Sequence, residues 1–231
     1  MLLRKWEDLP GEMKNDKVRP YYDVLMKRHN SLRVKRAFDI AASIAGIIVL
    51  LPVMLIVAVA IKLDSPGTVF YRQERITAYG KKFRIWKFRS MQQDADNTGM
   101  SVTIDNDYRV TKVGMTIRKY RLDEIPQLFN ILAGDMTFVG VRPEVSKYVK
   151  CYTEEMYATL LLPAGVTSEA SIRFKDEQTL LLEEADIDNI YINKIMPEKM
   201  RYNLESMKKF SLAEDLKTLV RTVQAVAGKD F

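Results

Sequence analysis

Histidine and cysteine are almost missing: His29 and Cys151 are the only ones in 231 residues. One cysteine excludes an internal disulfide and fits a reducing compartment. One histidine excludes an HExxH zinc site and any paired-imidazole chemistry, and leaves little room for a Ser-His-Asp triad. His29 itself, within the basic stretch KRHN, reads as a solvated surface residue. The ten glycines never fall into GxGxxG or GxxxxGKS/T, so neither glycine-rich nucleotide loop is present. If phosphate is bound, arginine and lysine, helix N-termini or a metal must hold it. If there is catalysis, it falls to carboxylates.

Acid is scarcer than base: 30 acidic residues face 36 basic ones, a net charge of +6. That balance points to an anionic partner, whether nucleic acid, a membrane surface or a phosphorylated substrate. Charge of either sign is missing from Ile40 to Ile61, IAASIAGIIVLLPVMLIVAVAI, which as a helix would span about 33 Å, close to the thickness of a bilayer core. Arg33, Lys35 and Arg36 precede this run, and Lys62, Arg72 and Arg75 follow it. Basic flanks stay on the cytoplasmic side, and here both flanks claim that side. Pro52 stands in the middle, where it removes a helix hydrogen bond. The expectation is a helix that enters the membrane, bends at Pro52 and leaves by the same face. A simple crossing is the competing arrangement.

The chain therefore divides into a polar N-terminal extension (1–32), a re-entrant membrane helix (33–63) and a cytoplasmic domain (64–231). Past the turn DSPG, TVFYRQERI and KKFRIWKFRSM read as two strands joined by TAYG. Residues 69–91 hold seven basic residues and one acid, a local excess equal to that of the whole chain. Lys87 and Arg89, two apart, would point to one face of a strand. Residues 92–112 read as a loop, VGMTIRKY as a helix, and FVGVRP as an irregular turn holding Arg142. Residues 144–231 read as helical, most clearly SLAEDLKTLVRTVQAVAG. In RLDEIPQLFNILAGDM, Ile125, Leu128, Phe129 and Leu132 mark one apolar helix face. Asp123 is the expected N-cap, Pro126 sits in the first turn and Gly134 is the stop. The fold class expected is α+β, mostly helical, with a small β-hairpin and a monotopic membrane helix.

In order along the chain, KRAFDI, Pro52, FYRQER, GKKFRIWKFRSM, RVTKVGMTIRKYRLDEIPQLFNILAGDMTFVGVRPE and DLK at 215–217 resemble the bacterial sugar transferases known as small monotopic polyprenol-phosphate phosphoglycosyl transferases. The likeness is dense over residues 34–145 and then thins. It implies transfer of a sugar-1-phosphate from a nucleoside diphosphate sugar, usually a UDP-sugar, to a polyprenol phosphate such as undecaprenyl phosphate, with Mg²⁺ required. It implies an Asp-Glu catalytic pair, here Asp123 and Glu124, with a covalent phospho-sugar on Asp123. It places Lys87, Arg118, Arg142 and Asp215 at the active site. Arg89 and Arg173 join them as candidate substrate ligands, and Glu124 and Asp123 as candidate metal ligands. The implied location is the cytoplasmic face of the bacterial inner membrane, among membrane lipids, with downstream glycosyltransferases as further partners. The segment LPAGVTSEASIRFKDE (162–177) departs from the family pattern. It keeps the G-V-T core and a basic residue, Arg173 or Lys175, so the sugar is not carried over.

The physical reading of the acidic pair agrees with that resemblance. Two adjacent residues inside a helix point about 100° apart, whereas at a helix start they can share a centre. A helix N-terminus favours anions, and Mg²⁺ prefers carboxylate and phosphate oxygens. Arg118 and Arg142 would neutralise the remaining phosphate charge. Two other readings compete: a catalytically silent membrane scaffold of a polysaccharide-assembly complex, and a membrane-anchored nucleic-acid binder using residues 69–91. The set Asp123, Glu124, Lys87, Arg118 and Asp215 argues against the first. The second predicts steeply salt-dependent binding, and the expectation is no nucleic-acid partner.

Overall fold

The computed structural model describes residues 3–93, 109–174 and 187–228. After two short 3₁₀ turns come α1 (Arg19–Lys27) and the long helix α2 (His29–Asp64). A hairpin of β1 (Phe70–Ile76) and β2 (Lys82–Phe88) follows, then α3 (Lys112–Lys119), α4 (Gln127–Ala133), β3 (Met136–Val139) and α5 (Ser146–Val149). The C-terminal part holds β4 (Ala164–Thr167), α6 (Glu169–Arg173), α7 (Ile187–Ile190), α8 (Met196–Lys208) and α9 (Leu212–Val226). The expected helix-rich α+β composition and the hairpin are both present.

The hairpin pairs Phe70 with Phe88 and Ile76 with Lys82 in antiparallel register, as its alternating sequence predicts. A second pair was not legible: β3 and β4 run parallel, with Met136 opposite Ala164 and Val139 opposite Thr167. Phe138 and Val139 are thus strand residues rather than part of an irregular turn, and the region after 144 contains a strand as well as helices.

The helix α2 is continuous through Pro52 and, at 1.5 Å per residue, is about 54 Å long. It is long and apolar enough to lie in a membrane. Much of its surface is uncovered, with Ile48 68 %, Val49 72 % and Leu63 84 % exposed. Both of its ends are nevertheless tied to the same body. Near the start, Lys35 Nζ donates to Val139 O at 2.8 Å, Arg36 donates to the carbonyls of Ile131 and Leu132, and Asp39 accepts from Thr137 Oγ1 at 2.8 Å. Near the end, Met54, Val57 and Ile61 pack with Phe88 and Ile117, and Asp64 accepts from the Val113 N–H at the start of α3.

The largest apolar cluster lies elsewhere. Leu9, Met13, Val18, Tyr21 and Leu25 from the N-terminal segment pack with Leu161, Met196 and Met200. The first 32 residues look polar in sequence, yet Leu3, Leu9, Met13, Val18, Tyr21, Tyr22, Leu25 and Leu32 among them are buried in this core.

Candidate active site

The acidic pair lies between two elements that constrain it differently. The helix α3 is capped by Thr111, whose Oγ1 accepts from Gly114 N at 3.0 Å. It ends at Tyr120, and Arg121 then adopts a left-handed backbone (φ 55°). That turn reverses the chain at a cost of about 1–2 kcal/mol for a non-glycine residue. It brings Arg118, with its positive charge, back toward Asp123. Leu122–Glu124 form one 3₁₀ turn, and α4 begins only at Gln127, with Pro126 as its cap residue. Asp123 is therefore not an N-cap, which corrects the sequence expectation. The pair sits in a tight lead-in turn whose first residue is strained. Gly134 does stop the helix, at φ 92°, with its N–H on the carbonyls of Asn130 and Ile131.

The buried face of α4 is also not the expected one. Gln127, Asn130 and Ile131 are buried, whereas Leu132 is exposed. Asn130 explains the inversion: its Oδ1 accepts from Trp86 N at 2.8 Å and its Nδ2 donates to Arg84 O at 3.0 Å. The side chain thereby completes an otherwise open edge of β2. The apolar residues Ile125 and Phe129 instead join the cluster formed by α2 and α3.

Glu124 is held by two cations. Lys87 from β2 donates to its Oε1 at 3.1 Å, Arg142 Nη2 grips the same oxygen, and Arg142 Nη1 stands 3.4 Å from Oε2. Arg142 also reaches Val166 O at 3.3 Å, which ties it to β4. Its turn depends on a close crossing of two glycines. A Cβ on Gly165 would meet the backbone N and O of Gly140 at 2.2 Å, so only glycine fits there. Burial opposes ionisation of Glu124, but Arg142 and Lys87 outweigh it and hold the carboxylate well below its ordinary range. Burial likewise pulls Lys87 down, opposed by Glu124.

Asp123 is the contrast. It is buried, and no hydrogen bond or ion pair to its carboxylate is found among the described residues. Burial raises its pKa above the usual aspartate value, opposed by the nearby charge of Lys87. The centre thus pairs a locked carboxylate with an uncommitted one.

The structure brings Asp123, Glu124, Lys87 and Arg142 together, with Arg118 close enough to be felt by Asp123. It places the other candidates elsewhere. Arg89 lies just past the end of β2 and donates to the carbonyls of Pro66 and Ser65 and to Ser65 Oγ. It fastens the turn after α2. Asp215 pairs with Lys35 at 2.6 Å, linking α9 to the start of α2. Arg173 pairs with Glu169 at 2.9 Å. Lys35, Arg173 and Asp215 all line a separate cleft of about 280 Å³. Lys175, and most of the expected loop at 92–112, lie outside the described residues. Asn130 and Gly165, which position the site, were missed. Their signal in the sequence is a buried-face asparagine and a glycine within the G-V-T core.

Most of the basic run at 69–91 has partners within the protein, while Arg72, Lys81, Lys82 and Arg84 stay exposed. Arg72 lies 4.1 Å over Trp86, Arg75 binds Gln73 and Pro143 O, Lys81 pairs with Asp135 and Lys82 with Glu74.

Among the described residues no group of three or more metal-binding side chains exists. Mg²⁺ does not need one, because it is commonly held by one or two carboxylates with water and substrate phosphates. The uncommitted Asp123 and the weakly engaged Oε2 of Glu124 fit that pattern.

A family model described as bacterial sugar transferase matches residues 30–229. The sequence is 38 % identical over 197 residues to the UDP-N-acetylgalactosamine-undecaprenyl-phosphate N-acetylgalactosaminephosphotransferase of Aeromonas hydrophila, covering 84 % of this chain and 43 % of that protein. It is 34 % identical over 215 residues to the UDP-glucose:undecaprenyl-phosphate glucose-1-phosphate transferase of Escherichia coli (strain K12), covering 92 % and 44 %. With the protein of the same description from Caulobacter vibrioides it shares 32 % identity over 199 residues, covering 85 % and 70 %. The chain spans less than half the length of the first two relatives. The matched region holds the acidic pair, both cations on Glu124 and the helix that carries Pro52, and the chain belongs to the bacterial sugar transferase family.

Proposed function

We propose that this protein transfers a sugar-1-phosphate from a UDP-sugar to a polyprenol phosphate, through a covalent intermediate on Asp123. The observation that carries the reading is the asymmetry of the acidic pair. Glu124 is held through Oε1 by Lys87 and Arg142, whereas Asp123 is buried, uncommitted and adjacent. An oxygen of the Asp123 carboxylate attacks the sugar-bearing phosphorus. The new O–P bond forms as the bond between that phosphorus and the bridging oxygen of the diphosphate breaks, and UMP leaves with the bridging oxygen. A phosphate oxygen of the polyprenol carrier then attacks the same phosphorus, the O–P bond to Asp123 breaks, and the carboxylate is restored. Dividing one displacement in two suits a nucleophile that must meet two anionic substrates in turn.

Lys87, Arg142 and Arg118 oppose the phosphate charge, and Glu124 fixes the first two in place. Asp123 and Glu124 Oε2 would hold Mg²⁺, which when bound neutralises the diphosphate. The relatives bear the names of transferases for two different sugars, so the sugar is left to experiment. Membrane placement is monotopic in this reading. The start and end of α2 dock on one body, which favours entry and exit by the same face. Exposed Leu216, Val220 and Val223 extend the apolar surface along α9.

The test is intact-protein mass spectrometry with Mg²⁺ and a panel of UDP-sugars, without lipid acceptor. A sugar-phosphate mass increment with release of UMP, absent in Asp123→Asn, is expected. An equal increment on the variant overturns the nucleophile. Turnover with polyprenol phosphate but no adduct on any donor overturns the two-step route.

A further inference from the structure

Gln127 is the first residue of α4 and only 1 % exposed, yet neither its Oε1 nor its Nε2 has a hydrogen-bond partner among the described residues. Buried amides are normally paired, because an unpaired one forfeits its hydration for nothing. Asn130, one turn further on the same buried face, shows what a structural amide looks like here: both of its side-chain groups are used on β2. Gln127 does no such work.

Its place in the helix indicates what it is kept for. The 3₁₀ turn Leu122–Glu124 runs on through the right-handed Ile125 and Pro126 into α4, so Gln127 stands about one turn after the acidic pair. Helical side chains lean toward the N-terminus, over the preceding turn. Gln127 therefore leans toward the acidic pair. Lys87 and Arg142 already hold Glu124 Oε1, so the carboxylate with no partner in that turn is that of Asp123.

We infer that Gln127 is a positioning residue for the transfer, its Nε2 donating to one oxygen of the Asp123 carboxylate so that the other is aimed at the incoming phosphorus. The contact is not made in this structure; it forms as the donor enters and the carboxylate turns. A Gln–Asp pair one turn apart is a stable helical spacing, and fixing the rotation of the nucleophile before attack raises the rate without tightening donor binding. The inference rests on Asp123 being the nucleophile.

The decisive variant is Gln127→Met, of similar length and with no amide to leave unpaired. A purely structural Gln127 predicts unchanged chemistry. A positioning Gln127 predicts an unchanged or higher Tm together with a single-turnover rate of adduct formation lowered about ten- to hundredfold. The UDP-sugar concentration for half-maximal rate stays where it was. If methionine lowers Tm, Gln127→Leu offers a second apolar shape and must show the same split between rate and donor affinity. Adduct formation at the wild-type rate in a folded apolar variant, with Asp123→Asn inactive, overturns the role of Gln127 and leaves the nucleophile standing. Adduct formation on Asp123→Asn overturns both.

Discussion

Asp123 and Glu124 are neighbours in sequence and opposites in electrostatics, and the two signs can be separated by pH. The pKa of Glu124 is lowered on folding, so its ionisation contributes stability above its ordinary value near 4.3, and that contribution is lost progressively as pH falls below it. The pKa of Asp123 is raised by burial, so its ionisation works against folding at neutral pH, and protonation relieves it as pH falls. In metal-free buffer at pH 7, Asp123→Asn is expected to raise Tm, with the gain shrinking in acid. Glu124→Gln is expected to lower stability by about 3 kcal/mol, since it strips the partner from two partly buried cations, or roughly 6–12 °C in a chain of this size. The Glu124 deficit should also narrow as pH falls toward 3. Thermal melts of the three proteins across pH 3–8 check both signs. A destabilised Asp123→Asn at pH 7 would mean that the carboxylate has a structural partner after all.

At the level of elements, the hairpin and α3 were legible because their signals are local: alternation, a turn and a helical period. The acidic pair was legible as a candidate site beside Lys87 and Arg142 but not as geometry. A threonine, serine, asparagine or aspartate before an apolar run reads as an N-cap, and nothing local announces that Arg121 takes a left-handed turn and that a 3₁₀ turn intervenes. The face of α4 was misread because its apolar stripe meets another apolar helix, while its polar face is buried for the sake of Asn130. Least legible was the β3–β4 pair, four residues in each strand joined across a long connection. Yet that pair places Arg142. Gly165→Ala drives a methyl into the Gly140 backbone, so it should cost about 1–3 kcal/mol or more and displace Arg142 from Glu124. A lowered Tm with loss of turnover, by differential scanning fluorimetry and a UMP-release assay, is the expected pair of results. An active, fully stable alanine variant would show that the crossing relaxes without disturbing the arginine.

For the whole molecule, the arrangement of α2 makes a topological claim. A helix crossing a bilayer leaves its two ends on opposite sides of about 30 Å of hydrocarbon, so one folded body outside the membrane cannot hold both. Here Lys35, Arg36 and Asp39 bind β3 and α4, and Asp64 binds the start of α3, so one body does hold both. The basic flanks agree with the proposed monotopic placement, because each on its own favours the same side of a membrane. The helix is continuous through Pro52 in this structure; in the proposed re-entrant placement Pro52 would be the weak point, since the carbonyl one turn before it lacks its usual donor. Single cysteines at two exposed positions, Asn30→Cys before the segment and Thr68→Cys after it, decide the matter once the exposed native thiol is removed by Cys151→Ser. In inverted membrane vesicles an impermeant maleimide should label both sites, and in right-side-out vesicles neither. Labelling of one site in each preparation would make α2 a simple crossing. The contacts that join its two ends to one body would then have to break in the membrane.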